Sequence, residues 1–250
     1  MLFSSFTLAA LAFVAVNGAP TVSRSSARSA APIDNSALIA KLKTDATAAE
    51  QFQQLLANNG QPLDPSDLAA ATVFDFTKNP SPAQGTQGGS LNTAGPKNFP
   101  ILTDSGLSLN LLTLGPCGLF SPHIHPRANE FFLVLEGQVD FGFLLETGVF
   151  GGLGAPNPTI SGTLKQHEGT LFPLGSVHWQ INASPDCNNA TTFEAFSSDD
   201  PGAVLILNKV SNDSRVLIPQ IEPNDLDGLR AVLPPAILSE VDSCLARCNM

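Results

Sequence analysis

The chain has 250 residues, 43% of them hydrophobic and 14% charged, with a formal net charge of −10. That balance describes a globule with a sizeable core, built as one large domain or two small ones, and excludes a disordered polyelectrolyte. The acidic excess argues against nucleic acid or an anionic membrane as partner, and twenty glycines with twenty prolines favour a turn-rich all-β body over a helical one.

In chain order, "LFSSFTLAALAFVAVNGAP" carries an apolar run from Leu8 to Val16 followed by small residues. Spanning a bilayer takes about 20 apolar residues, so the run reads as a signal-peptide core. Residues 1–18 are the expected signal, cut after Gly18. Residues 19–35 are rich in Ser, Ala and Arg without an apolar period, and read as a flexible segment. Residues 36–100 read as a helical and loop extension. Leu38, Ile39, Leu42, Ala46, Phe52, Leu55 and Leu56 fall largely on one helical stripe, which Asn35 or Ser36 can cap and Asn59-Gly60 can end. Pro80 to Pro100 reads as a long Gly/Pro/Ser loop.

Residues 101–212 form the expected β domain. Short apolar runs such as "LSLNLLTL", "EFFLVLEG", "VDFGFLLE", "VHWQIN" and "TTFEAF" alternate with turn residues, as in an antiparallel sandwich or barrel. The tail, 213–250, offers two helical segments broken at Pro234-Pro235. An even count of four cysteines in an exported chain predicts two disulfides, with Cys117 expected to pair with Cys187 and Cys244 with Cys248. Of three N-x-[ST] sequons, those at Asn189 and Asn212 lie in polar, loop-like surroundings and are the expected glycan sites.

The stretch that carries chemistry is "SPHIHPRANE", Ser121 to Glu130. It holds two of only four histidines in the chain. Alternate strand residues share a face, so His123 and His125 would point the same way, about 7 Å apart along the chain. Glu130 opens the next apolar run and can add an oxygen ligand. His178, in "FPLGSVHWQIN", can add a third imidazole from a neighbouring strand. Three imidazoles and one carboxylate suit a first-row metal with positions left open.

"CGLFSPHIHPRANEFFLVLEG" and "HEGTLFPLGSVHWQIN" resemble the two motifs of the cupin superfamily, most closely those of germin-like and spherulin-like secreted proteins. The first follows the family's H-x-H-x4-E-x6-G spacing through Gly137, the second its P-x-G-x2-H-x3-N spacing through Asn182. The downstream "AFSSDDPGAV" resembles the germin tail, so the likeness covers about Leu107 to Lys209. It implies an all-β, double-stranded β-helix (a jelly-roll cupin barrel) with N- and C-terminal helical extensions. It places the metal ligands on His123, His125, Glu130 and His178. Manganese is the metal it implies, while the donor set also admits iron, nickel, copper or zinc. It further implies a homo-oligomer (dimer, trimer or hexamer) that is secreted, extracellular or held in a cell wall.

Resemblance to germins implies a superoxide dismutase or oxalate oxidase type of oxidoreductase. Germin oxalate oxidases orient their substrate with two asparagines. Asn110, thirteen residues before His123, matches one of those positions; the other, three residues before His123, is Phe120. The missing asparagine favours superoxide over oxalate. The other class of function is a non-catalytic cell-wall, spore or stress protein that retains its metal. Cys117 and His167 stand where the family's motifs open on glycine. His167 reads as a surface residue and Arg127 as a member of a structural ion pair. Phe120, Phe131, Phe132, Phe141, Phe143, Phe172, Trp179 and Phe196 read as barrel core and dimer surface. Glu194, a carboxylate in the apolar "TTFEAF", is expected to face outward, with a place near the metal as the alternative.

Overall fold

The computed structural model describes residues 34–78, 88–206 and 233–250. Its body is two five-stranded antiparallel sheets, and the alternation of side chains along the strands dictates which residues face between them. One sheet has the order β3-β4-β11-β6-β9, from Gly89–Ala94, Ser108–Leu114, Ala190–Phe196, Glu130–Glu136 and Gly169–Phe172. The other has the order β12-β5-β10-β7-β8, from Val204–Leu205, Leu119–Ile124, His178–Asn182, Gln138–Phe143 and Ile160–Lys165. This is the all-β jelly roll that the motifs imply. Leu112, Leu114, Phe132, Val134, Val139, Phe143 and Phe172 pack together between the sheets. Burying a side chain of this kind contributes roughly 1.5–3 kcal/mol relative to leaving it in water.

Strand β10 is buried on both faces. His178 and Gln180 face the barrel interior, while Trp179 and Ile181 meet the C-terminal helix, Pro235–Cys248, through Ile237, Val241 and Leu245. Gly142, opposite Trp179 in β7, makes room for the indole, since a Cβ there would stand 2.1 Å from Trp179 Cζ2.

The N-terminal stripe folds differently from its expectation. Instead of one helix there are two, α1 (Ser36–Leu42) and α2 (Ala48–Leu56). The break is a helix start hidden in "TAAE": Thr47 Oγ1 accepts from Glu50 N at 3.2 Å, and Glu50 Oε2 accepts from Thr47 N at 3.0 Å. That reciprocal capping box begins a new helix in place of continuing the old one. Asn59-Gly60 ends no helix. Both residues have positive φ (50° and 77°) and turn the hairpin between β1 (Ala57–Asn58) and β2 (Gln61–Pro62). A third helix, α3 (Pro65–Thr72), follows, with Asp64 capping the backbone N–H groups of Ser66 and Asp67.

The expected loop up to Pro100 contains strand β3. "GSLNTA" has weak strand propensity, but the open edge of β4 pairs with it from Gly89↔Leu114 to Ala94↔Leu109, a tertiary context that overrides local preference. At the other end, α4 (Pro235–Cys248) forms after the Pro-Pro break. The first tail segment, the expected signal, residues 19–33 and the Asn212 sequon lie outside the described residues.

The disulfides also correct the expected pairing: they join Cys117 to Cys244 and Cys187 to Cys248. Cys244 and Cys248 lie four apart on one unbroken helix and share the face turned to the barrel. Each therefore reaches a cysteine of the β domain instead of its helical neighbour, and both bridges tie α4 to the sheet. Among the described residues no helix is long and apolar enough to cross a membrane.

Candidate metal centre

Two connections carry the site. Residues 125–129 join β5 to β6 and residues 173–177 join β9 to β10, both at the same end of the barrel. Gly175 N donates to His125 O at 3.0 Å, which ties the two together. His123 pairs with His178 across β5 and β10. A bulge follows, so that Gln180 faces Phe120. The bulge turns Phe120 inward along with His123, although the two differ in parity. His125 is the first residue past the end of β5. Glu130 opens β6 opposite Phe196 and Phe172.

These elements bring His123, His125, Glu130 and His178 together, with one ligand atom from each lying within 4.8 Å of the others. All four side chains are buried. His123 Nδ1 donates to Ser121 O at 2.8 Å, His178 Nδ1 to Ser176 O at 2.9 Å, and His125 Nδ1 to Gly202 O. A carbonyl can only accept, so each Nδ1 carries a hydrogen and each Nε2 is the ring nitrogen turned to the centre. Aromatic neighbours hold the rings: Phe172 stacks on His178 at 4.6 Å, Phe120 lies 4.4 Å from His123, and Phe196 sits edge-on to His125 at 4.7 Å.

Burial, reinforced by the neighbouring His178, pushes the His123 ring well below its ordinary pKa, so it is neutral. For Glu130, burial works to raise the pKa, but contacts with His125 and His178 hold the carboxyl at about 2. The centre thus gathers one carboxylate and three imidazole nitrogens. Glu130 Oε2 lies 3.0 Å from His178 Nε2 and 3.1 Å from His125 Nε2. His123 Nε2, His125 Nε2 and Glu130 Oε1 have no hydrogen-bond partner among the described residues. A cation at the focus of these acceptors reconciles the arrangement, and the residues fit a first-row metal ion.

Asn110 and Phe120 are also interior. Asn110, on β4, donates from Nδ2 to Glu194 Oε2 at 2.7 Å. Glu194 overturns its outward expectation, because Thr192, Glu194 and Phe196 are the buried faces of β11. Phe193, of the opposite parity, lies on the other face of the strand and meets Phe76 at 6.1 Å. Burial first, and the charge of Glu130 second, push the Glu194 carboxyl well above its usual range. Gln180, also fully buried, escaped sequence reasoning; its only signal was its place two residues after His178. Arg127 forms an exposed ion pair with Asp200 at 2.7 Å, and His167 is exposed. Cys117 and His167 both keep the left-handed backbone that glycine would favour, with φ of 53° and 69°.

Comparison with known proteins agrees with the motifs. The cupin family profile matches residues 76–226. Germin-like protein 8-6 of Oryza sativa subsp. japonica is 31% identical over 196 residues, covering 75% of this chain and 83% of the relative. Spherulin-1B of Physarum polycephalum is 27% identical over 209 residues, covering 81% of this chain and 80% of the relative. Among solved structures, an oxalate oxidase is 24% identical with a TM-score of 0.48, covering 75% of this chain and 87% of that one.

Proposed function

Because the chain belongs to the cupin family and is germin-like, we propose that its quartet holds manganese and that it is an oxidoreductase acting on superoxide. The observation that carries this reading is the donor set: three imidazoles, each with Nδ1 held by a carbonyl and Nε2 turned inward, and one carboxylate, facing one point inside the barrel. Imidazole and carboxylate also suit iron, nickel, copper and zinc; germin resemblance supports manganese. A redox-active metal there supplies one-electron chemistry and an open coordination position.

The chain's own residues bear on the substrate. Orienting oxalate beside the metal takes hydrogen-bond donors. Phe120 instead presents an apolar ring next to His123, and Asn110 commits an amide N–H to Glu194. Both features disfavour a dianion and leave a small reactant as the better fit. Depth favours a second reading, a non-catalytic protein that keeps its metal for stability, since His123 and His178 are 0% and 1% exposed.

Metal analysis with superoxide and oxalate assays run in parallel separates the readings. Manganese with superoxide turnover supports the first. Bound metal with neither turnover supports the second, and oxalate turnover contradicts the argument from Phe120 and Asn110. Secretion to the extracellular space or cell wall belongs to the same proposal, supported by the two disulfides and an apolar N-terminal run. A homo-oligomer (dimer, trimer or hexamer) is supported by outward-facing Phe131 and Leu171, which pair on neighbouring strands and are 47% and 52% exposed. Asn189, exposed beside β11, and Asn212 are the proposed glycan sites.

A further inference from the structure

The two disulfides lie side by side under the C-terminal helix and are not equally accessible. Cys117 and Cys244 are 0% and 2% exposed, within the apolar layer that Leu119, Trp179, Ile237 and Val241 build between α4 and the sheet. Cys187 and Cys248 are only half-buried, and their chain neighbours Asp186, Asn188, Arg247 and Asn249 are exposed. A solute in water therefore reaches the outer bridge and not the inner one.

Helix α4 brings the two bridges together. Cys244 and Cys248 stand one turn apart on the same helix face, and the Sγ atoms of Cys117, Cys244 and Cys248 all lie within 4.8 Å of one another. Cys187 joins them through its bond to Cys248. Disulfide exchange needs a thiolate beside a disulfide sulfur. While Cys248 is bonded to Cys187 it has no thiolate to offer. Once that bond opens, a nucleophile already stands next to the buried bridge.

Helix geometry decides which sulfur the freed Cys248 attacks. Positions four apart on a helix hold their Cβ atoms about 5–6 Å apart, whereas a disulfide spans about 3.5–4.5 Å between them. A Cys244–Cys248 bridge does not fit an intact helix, so Cys117 is the sulfur to be captured. The sulfur that leaves also finds a partner. Cys244 Sγ stands 3.3 Å from Asn182 O, a carbonyl that accepts once the sulfur is a thiol.

We propose that the two bridges form one thiol-exchange site, at which a small thiol is captured on Cys187 and Cys248 then takes Cys117 from Cys244. In the first step the incoming thiolate bonds to Cys187 Sγ. The Cys187–Cys248 bond breaks, and its electron pair stays on Cys248 as a thiolate. In the second step that thiolate bonds to Cys117 Sγ and the Cys117–Cys244 bond breaks. Cys244 leaves as a thiolate and takes the proton that the small thiol gave up. Two disulfides stand before and after, so nothing is oxidised or reduced overall. The result is a thiol-responsive latch on the helix that backs β10, worked by a reagent that never enters the core. It uses no residue of the quartet and does not rest on the proposed function.

Cys187→Ser in the full-length chain performs the first step by substitution, because it leaves Cys248 without a partner. After incubation at mildly alkaline pH, acid quenching and alkylation with N-ethylmaleimide, peptide mass mapping should find a Cys117–Cys248 bridge with alkylated Cys244. Alkylation of Cys248 alone, in a chain with wild-type far-UV circular dichroism, overturns the proposal. Cys248→Ser instead leaves the free thiol at Cys187, and the inner bridge should stay intact. Alkylated Cys117 or Cys244 in that variant would take the relay away from Cys248 and overturn it too. If Cys187→Ser does not fold, wild type treated with equimolar glutathione carries the test. Glutathione on Cys187 with a free thiol at Cys244 supports the exchange. A free thiol at Cys248 with the inner bridge intact contradicts it, as does a chain that takes up no glutathione.

Discussion

Asn110 and Glu194 meet across neighbouring strands at 2.7 Å, the amide of one donating to the buried carboxyl of the other. The pair is in register, Glu194 opposite Asn110, and among the described residues no other hydrogen bond holds the carboxyl. Removing the donor leaves a buried acid without a partner, at a cost of about 1–3 kcal/mol. Asn110→Ala should therefore destabilise the wild type by that amount in urea unfolding, and by clearly less in a Glu194→Leu background. Equal losses in the two backgrounds would show that the pair is not coupled.

On the proposed reading, the Phe120 ring, 4.4 Å from that of His123, keeps the side of the metal apolar. Phe120→Asn should raise oxalate binding to the manganese-loaded protein, read by electron paramagnetic resonance, and should lower stability because it buries an amide. An unchanged spectrum on adding oxalate would show that this position does not govern the substrate.

The quartet must be neutral at its imidazoles to hold a cation. Burial holds the His123 ring neutral well below the ordinary histidine range, so metal occupancy should persist to mildly acid pH and fall only in stronger acid, where the ligands take up protons. Chelation at neutral pH should lower the melting temperature, because a ligand that binds only the folded state stabilises it. A melting temperature insensitive to chelator would mean that the folded chain holds no metal.

Glu240 on α4 accepts from Trp179 Nε1 at 3.1 Å. Burial, with Asp140 adding to it and the Trp179 bond opposing, pushes its carboxyl up to about 7. A raised acid binds more protons folded than unfolded, so its contribution to stability is present at low pH and is lost as the pH rises from about 4.5 through about 7. Glu194 acts with the same sign, so the difference between wild type and Glu240→Gln isolates Glu240. Trp179 is the single tryptophan, and its fluorescence should titrate near neutrality in the wild type and not in Glu240→Gln.

His167 carries a left-handed backbone (φ 69°) on an exposed side chain. Such a conformation costs a non-glycine residue roughly 1–2 kcal/mol, partly offset because glycine loses more entropy on folding. His167→Gly should raise the melting temperature by a few degrees at most and leave metal content unchanged. A loss of metal would give His167 a role that its exposure does not support.

Much of this was legible in the sequence because it rests on spacing. His123, His125, Glu130 and His178 were readable from two motifs, and most strands of the barrel from apolar runs between turns. What was not legible depended on tertiary context. Strand β3 exists because β4 has an open edge. The disulfides depend on where α4 docks, which no cysteine spacing reveals. Glu194 was misplaced because a glutamate usually faces solvent, whereas burial inside this barrel is decided by register with Asn110 and Phe132, not by hydrophobicity alone.

The central claim is that the quartet holds a metal ion. The most direct measurement is elemental analysis of wild type and His178→Ala after manganese loading and gel filtration. Stoichiometric manganese in the wild type and almost none in a folded His178→Ala is the result predicted. A folded wild type that retains no metal, or a His178→Ala that retains as much, would contradict it.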